Sequence, residues 1–287
     1  MNHPHFTKQE TMVCEGLCKR YANSFYLAAQ LFPRAARKSV FALYAFVRLA
    51  YEYVDNPLPG TDPLTELTTY EHNWQEALRL GRSDDVVFSA LLKVVSTYHF
   101  PAAYFEHFIQ AMKQDTYQKS YNSYEELEAY MYGSATVVGY GMAYIMGTTS
   151  EEALVSAKHL SEAFQLTNFL RDIEEDYVER ARIYVPLKEM DAFNVSVNNV
   201  YEQQFSTEFG NYIKYQITRN RNLYRMAEAG IQNLPSAYQR PVALAAVYYE
   251  RILDKLFDRD GNPFGKRIST TRAEKVLLGL RYLTKTL

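Results

Sequence analysis

Apolar residues recur along this chain at spacings of three and four rather than in alternation, the signature of helices with one buried face. Segments patterned in this way run between breakers and open on caps. Pro33 leads residues 34–54, Asp62-Pro63 leads 64–80, and Ser150-Glu151-Glu152 leads 153–176. Alternating Val/Ile/Thr runs are few and no Asn-Gly turn occurs, so strand and hairpin signals are poor. No proline lies between Pro101 and Pro186, which leaves room for two or three long helices. Residues 57–63 and 258–264 have loop chemistry. No linker, repeat or low-complexity tract divides residues 1–287. The pattern predicts one all-α domain.

Two segments are apolar on nearly every side. Residues 40–54 are one, and residues 129–150 carry no charge at all. The second is long enough for a membrane span. Its four glycines, four tyrosines, two serines and three threonines suit lipid poorly and suit the middle of a large helical bundle well. Gly133, Ser134, Ala135, Gly139, Gly141 and Ala143 leave it a slim face that fits a neighbour or ligand approaching closely.

Composition narrows the function classes. The chain of 287 residues is 47% hydrophobic, with 31 basic against 33 acidic side chains and no basic block. That balance argues against a protein that grips nucleic-acid phosphates. Cys14 and Cys18 stand four apart with no second Cys/His pair at zinc spacing, and are expected in core or rim packing within a reducing compartment. The polar opening residues give no signal peptide, so cytoplasm is expected. The 25 tyrosines and 16 phenylalanines against one tryptophan fit either a compositional bias or a large aromatic-lined cavity.

The stretch from Gln165 to Asp176 carries the most chemistry. At 100° per residue Gln165, Asn168, Asp172 and Asp176 fall on one helix face. Two carboxylates one turn apart repel each other unless a positive charge lies between them. Mg²⁺ accepts carboxylate and amide oxygens and leaves positions for substrate phosphate oxygens. Such a pair also fits a solvated acidic face, but Phe169, Leu170 and Ile173 make the flanks apolar and Arg171 is built in beside the acids. A weaker copy lies in the other apolar helix, where Tyr44, Arg48, Tyr51, Glu52 and Asp55 share a face. Acids on so apolar a helix need a partner, and Arg48 could by itself satisfy Glu52. Two such helices facing one another across an aromatic cavity would hold diphosphates through metal and shelter a carbocation against ring faces.

At these residues the chain resembles the squalene/phytoene synthases, dehydrosqualene synthase included. These are all-α isoprenoid synthases, helical bundles around a central cavity, that join two prenyl diphosphates head to head. The run Asn168-x-x-Arg171-Asp172-x-x-x-Asp176, followed by Arg182-Ile183-Tyr184-Val185-Pro186, is similar to the family's second aspartate-rich motif. Residues 21–25, 43–48, 130–139, 247–253 and 267–269 match further family blocks in order. The resemblance implies that Glu52, Asp55, Asn168, Asp172 and Asp176 hold Mg²⁺, with Gln165 lining the site. It implies that Arg48, Arg171 and Arg267 contact diphosphate oxygens, the planar guanidinium being suited to them. Tyr21, Asn23, Ser24, Phe25, Tyr44, Tyr51 and Tyr249 would complete the substrate site. Tyr130 would assist ionisation or proton removal, with Arg171, Asp172 and Asp176 joining it as catalytic residues. A product that partitions into lipid implies loose association with a membrane surface.

The sequence departs from the family at three places. Tyr51 stands where the first aspartate-rich motif usually begins with Asp, Asn23 where Lys is common, and Thr136 where a small Gly is usual. For Tyr51 three readings stay open: a rearranged metal cluster on Glu52 and Asp55, a position altered from Asp, or a changed activity. The last includes a non-catalytic prenyl-lipid binder and an enzyme for preformed cyclopropyl diphosphate only. Six histidines lack metal-protease spacing, and Gly139-Tyr140-Gly141 follows no strand, so no dinucleotide site is legible.

Overall fold

The computed structural model describes residues 3–284, except for the side chains of residues 23, 24, 272 and 281–284. Among the described residues the regular structure is helical, and the only strand-like pairing is a parallel bridge between Ser120 and Ile183.

Local chemistry sets most helix ends. Helix α1 (Lys8–Tyr21) opens on a capping box in which Thr7 accepts from the Glu10 N–H and Glu10 accepts from the Thr7 N–H. Helix α2 (Asn23–Ala29) leads through Pro33 into α3 (Arg34–Asp55). Asp62 caps α4 (Pro63–Leu80), which stops at Gly81 with φ 65°, and Asp85 caps α5 (Val86–Tyr98). After α6 (Ala103–Tyr117) comes one continuous rod: α7 (Tyr124–Met131), a π-helical turn (Tyr132–Thr136) and α8 (Val137–Met146). Then follow α9 (Glu151–Arg171), α10 (Ile173–Arg180), the short α11 (Leu187–Ala192) and α12 (Val197–Tyr201), and the long α13 (Thr207–Gln232) and α14 (Ser236–Asp258). Helix α15 (Arg272–Thr284) comes last.

The loops expected at 57–63 and 258–264 lie between helices, with Pro63 and Asp258 belonging to α4 and α14. Two expectations of unbroken helix change. The uncharged stretch 129–150 ends as helix at Met146, because Gly147 takes a left-handed conformation (φ 73°), and it contains the π turn. The stretch 153–176 bends at Asp172, with φ −104° and ψ 14°, where that carboxylate turns to two guanidiniums. Hydrogen bonds from the Asp172 N–H to Asn168 O and from the Asp176 N–H to Asp172 O carry the helical path across the bend. No helix among the described residues is long and apolar enough to cross a membrane.

Helix α3 is the hub of one half, packed on α1, α5, α6 and α8, while α9 lies along α13 and α14 in the other. Around Phe46 of α3, Tyr70, Trp74, Phe88, Phe105 and Phe108 pack ring on ring, with centroids 5.1–6.1 Å away. Much of the aromatic excess is therefore ordinary core, a use that the expectation of a cavity lining leaves out. The slim face of the rod is spent on neighbouring helices. A Cβ added at Gly133 would lie 2.6 Å from His107 O, one at Gly139 1.8 Å from Ser161 Oγ, and one at Gly141 2.8 Å from the Phe100 ring. Cys14 and Cys18 are free and buried, and burial pushes both thiols up to about 12.

Candidate active site

The two acidic motifs meet. Asp55 closes α3, Asp176 lies in the first turn of α10, and one guanidinium stands between them. Arg180 Nε is 3.2 Å from Asp55 and Arg180 Nη1 is 3.6 Å from Asp176. Arg182, 5% exposed, adds a second contact to Asp55 at 3.3 Å. One turn earlier on α3, Glu52 pairs with Arg48, whose guanidinium lies 4.4 Å above the Tyr21 ring.

The second motif is clasped in the same way. The guanidinium of Arg171 donates to Asp172 through both Nε and Nη2. Arg267 donates to the same carboxylate with Nε and Nη2, each at 2.9 Å, and lies 3.3 Å from Glu175. Burial alone would raise the Asp172 carboxyl, but these two guanidiniums hold it below the usual range. Asp176 fares differently. Burial, and then the charges of Asp172, Asp55 and Glu175, push it up to about 8 in spite of Arg180. At Asp176 the effects that favour the neutral acid outweigh Arg180, and the donors here are carboxylate oxygens with the half-buried Asn168 one turn before Asp172. That chemistry fits a hard divalent cation. Among the described residues no three His, Cys, Asp or Glu side chains converge at ligating separation, and guanidiniums of Arg171, Arg180 and Arg267 lie against the carboxylates.

Half-buried rings border the acids. Phe25 stacks on Tyr44 with centroids 5.6 Å apart, and Phe164 packs on Tyr249 at 4.5 Å. Burial raises the Tyr249 phenol, with Arg171 and Asp172 close enough to act on it; the Tyr44 phenol, also raised by burial, feels Arg48, Tyr249 and Tyr21. Tyr51 turns inward. Its hydroxyl donates to Ser134 O in the π turn at 3.3 Å, faces the Gln165 side chain, and its ring meets Phe108 edge-on. Burial, with Asp115 and Asp55 nearby, pushes the Tyr51 phenol up. Held as a neutral phenol, it is no replacement for a carboxylate ligand.

Tyr130 lies deeper, 3% exposed, among Tyr121, Phe169 and Tyr184. Its hydroxyl donates to Asp115 Oδ2 at 2.7 Å. The structure thus gathers Tyr21, Phe25, Tyr44, Arg48, Tyr51, Glu52, Asp55, Gln165, Asn168, Arg171, Asp172, Asp176, Tyr249 and Arg267 around facing helix ends, with Tyr130 behind them. The Asn23 and Ser24 side chains lie outside those described. Sequence reasoning quotes Arg182 and Tyr184 in a matched run without giving either a role, and passes over Arg180 and Asp115. Arg180 sits four residues after Asp176, an ion-pair spacing, and Asp115 continues the buried series Phe105, Phe108, Met112 of α6. An open groove of about 400 Å³ beside Tyr124, Tyr215 and Arg219 includes none of the acidic residues of the site.

Comparison with known proteins bears on the family and the fold. Residues 18–274 match the family model described as squalene/phytoene synthase. Phytoene synthase 1 (chloroplastic) of Zea mays is 32% identical over 270 residues, covering 92% of this chain, which spans 65% of that protein's length. The 15-cis-phytoene synthase of Synechocystis sp. is 31% identical over 281 residues, covering 92% of this chain and 82% of that protein. Among solved structures, a dehydrosqualene synthase in complex with ligand superposes with a TM-score of 0.88 at 26% identity, covering 96% of each chain. A squalene synthase from Alicyclobacillus acidocaldarius shares the fold at 0.82 and 24% identity, over 89% of this chain and 96% of that one.

Proposed function

The chain belongs to the squalene/phytoene synthase family, and from that premise we propose that it condenses two prenyl diphosphates 1′-1, through a cyclopropyl diphosphate. The product is a squalene-, dehydrosqualene- or phytoene-type hydrocarbon from farnesyl or geranylgeranyl units. The observation that carries the reading is the shared guanidinium of Arg180 between Asp55 and Asp176, which brings both acidic motifs to one place.

In this reading Glu52 and Asp55 on one side, and Asn168, Asp172 and Asp176 on the other, hold Mg²⁺. The metal, when bound, supplies positive charge that draws the diphosphate leaving group from its allylic carbon. The rest is work for the chain. Arg48, Arg171 and Arg267, released from their carboxylates, turn their N–H groups to diphosphate oxygens. The faces of Tyr44, Phe25, Phe164 and Tyr249 lie beside the acids, where their quadrupoles stabilise an allylic cation without reacting with it. Tyr130 stands behind the acids to assist ionisation or remove a proton. Products of this kind suit release at a membrane surface. A second reading has one observation in its favour: Tyr51 is engaged with Ser134 O and removes a carboxylate from the first motif. A chain so altered would process only a preformed cyclopropyl diphosphate.

Purified protein with Mg²⁺ and labelled farnesyl or geranylgeranyl diphosphate is expected to yield hydrocarbon. Asp176→Asn is expected to lower turnover by about 100-fold or more. Tyr51→Asp reports whether the first motif limits the rate. Turnover of the cyclopropyl intermediate alone would establish the second reading, and tight binding without turnover would leave a prenyl-lipid binder.

A further inference from the structure

Asp115 is a carboxylate that nothing in the acidic motifs explains. It lies on the apolar face of α6 and is 1% exposed. Burying a carboxylate is costly unless donors surround it, and its donors here are two phenols. Tyr130 gives its hydroxyl proton to Oδ2 at 2.7 Å, and Tyr184 gives its own to Oδ1 at 3.2 Å. Arg182 then donates to the Tyr184 hydroxyl at 3.3 Å and to Asp55 at 3.3 Å. Four elements are joined: α7 through Tyr130, α6 through Asp115, the segment after α10 through Tyr184 and Arg182, and the end of α3 through Asp55.

We infer that Asp115 is a positioning residue that fixes the Tyr130 hydroxyl for the condensation, and that Tyr184 and Arg182 brace it against the first acidic motif. A phenol has one proton to donate. With that proton on Asp115, the free side of the Tyr130 oxygen carries lone pairs, so it meets a developing cation as an acceptor. The ring is also held at one angle by stacking on Tyr184, with centroids 5.7 Å apart. Displacing such a group by even an ångström costs about 100-fold in rate. The inference rests on the role of Tyr130 in the proposed condensation.

The test compares wild type, Tyr130→Phe, Asp115→Asn and the double variant with Mg²⁺ and labelled prenyl diphosphate, after circular dichroism has shown each to be folded. Asp115→Asn is expected to lower kcat by about tenfold or more with KM nearly unchanged, and to add nothing in the Tyr130→Phe background. Tyr184→Phe, which leaves the Tyr130 contact in place, is expected to lower kcat less and serves if Asp115→Asn does not fold. In protein carrying ¹³Cζ-tyrosine, the resonance missing from Tyr130→Phe should shift in Asp115→Asn. A kcat for Asp115→Asn close to wild type, losses that multiply in the double variant, or an unmoved resonance would each overturn the inference while leaving the condensation intact. A folded wild type that turns over no prenyl diphosphate would overturn the condensation, and the inference with it.

Discussion

Asp172 and Asp176 are one turn apart, yet their surroundings push them in opposite directions. Two guanidiniums hold Asp172 ionised, whereas burial and neighbouring acids push Asp176 up to about 8. Asp115 shows the same tension away from the acidic motifs, because burial raises it from its ordinary 3.8 to about 6 against the pull of Arg182, Tyr130 and Tyr184. The sign follows. A carboxyl raised in the folded state contributes stability that is complete below about pH 4 and is lost as pH rises through about 6. Thermal unfolding should therefore show wild type gaining on Asp115→Asn as pH falls from 8 to 5, by at most about 1.4 kcal/mol. A difference that is flat with pH would show that Asp115 does not titrate in this range. At this scale the sequence was informative where charge and spacing coincide: Gln165, Asn168, Asp172 and Asp176 stand out on helical period alone. It was uninformative where the partner comes from elsewhere in the chain. Nothing near Asp115 in sequence announces Tyr184, 69 residues away, and Arg180 gave its i,i+4 relation to Asp176 but not its reach to Asp55.

The helices themselves were legible wherever caps and breakers bracket an apolar period, as at Asp62-Pro63 and Ser150. The two interruptions were not. Counting at 100° per residue presumes an unbroken α-helix, so it misses the π turn at Tyr132–Thr136 and the bend at Asp172. In the uncharged rod no polar face marks where the register slips. What the rod's small residues do is clear from their contacts. Gly139 of α8 lies against Ser161 of α9, whose hydroxyl donates to Ala157 O at 2.6 Å. Gly139→Ala would force this contact apart and is expected to destabilise the protein by about 1–3 kcal/mol. Adding Ser161→Ala removes the nearest obstructing atom and should restore part of the loss, measured as denaturation midpoints. An equal loss with and without Ser161→Ala would place the strain elsewhere, against Ala157 O at 3.1 Å.

Over the whole molecule, the all-α class could be read from the pattern of breakers and periods, and the family from ordered motifs. Which aromatics serve the core and which border the site could not, because both kinds are tyrosine and phenylalanine at helical spacing. The site's charges also make sense only together. Glu52, Asp55, Asp172 and Asp176 are each neutralised in part by Arg48, Arg171, Arg180, Arg182 or Arg267. A cation alone would have to evict arginines into company that offers them nothing, and an anion alone would strand the acids. Calorimetry with Mg²⁺, with inorganic pyrophosphate and with both should show the pair binding far more tightly than either alone; independent, additive binding would contradict this. Arg180 extends the consequence across the fold. Since Arg180 and Arg182 both tie the end of α3 to α10 and the segment after it, drawing off one guanidinium leaves the other in place, and the resting protein should behave as a lock that opens only when two keys turn together.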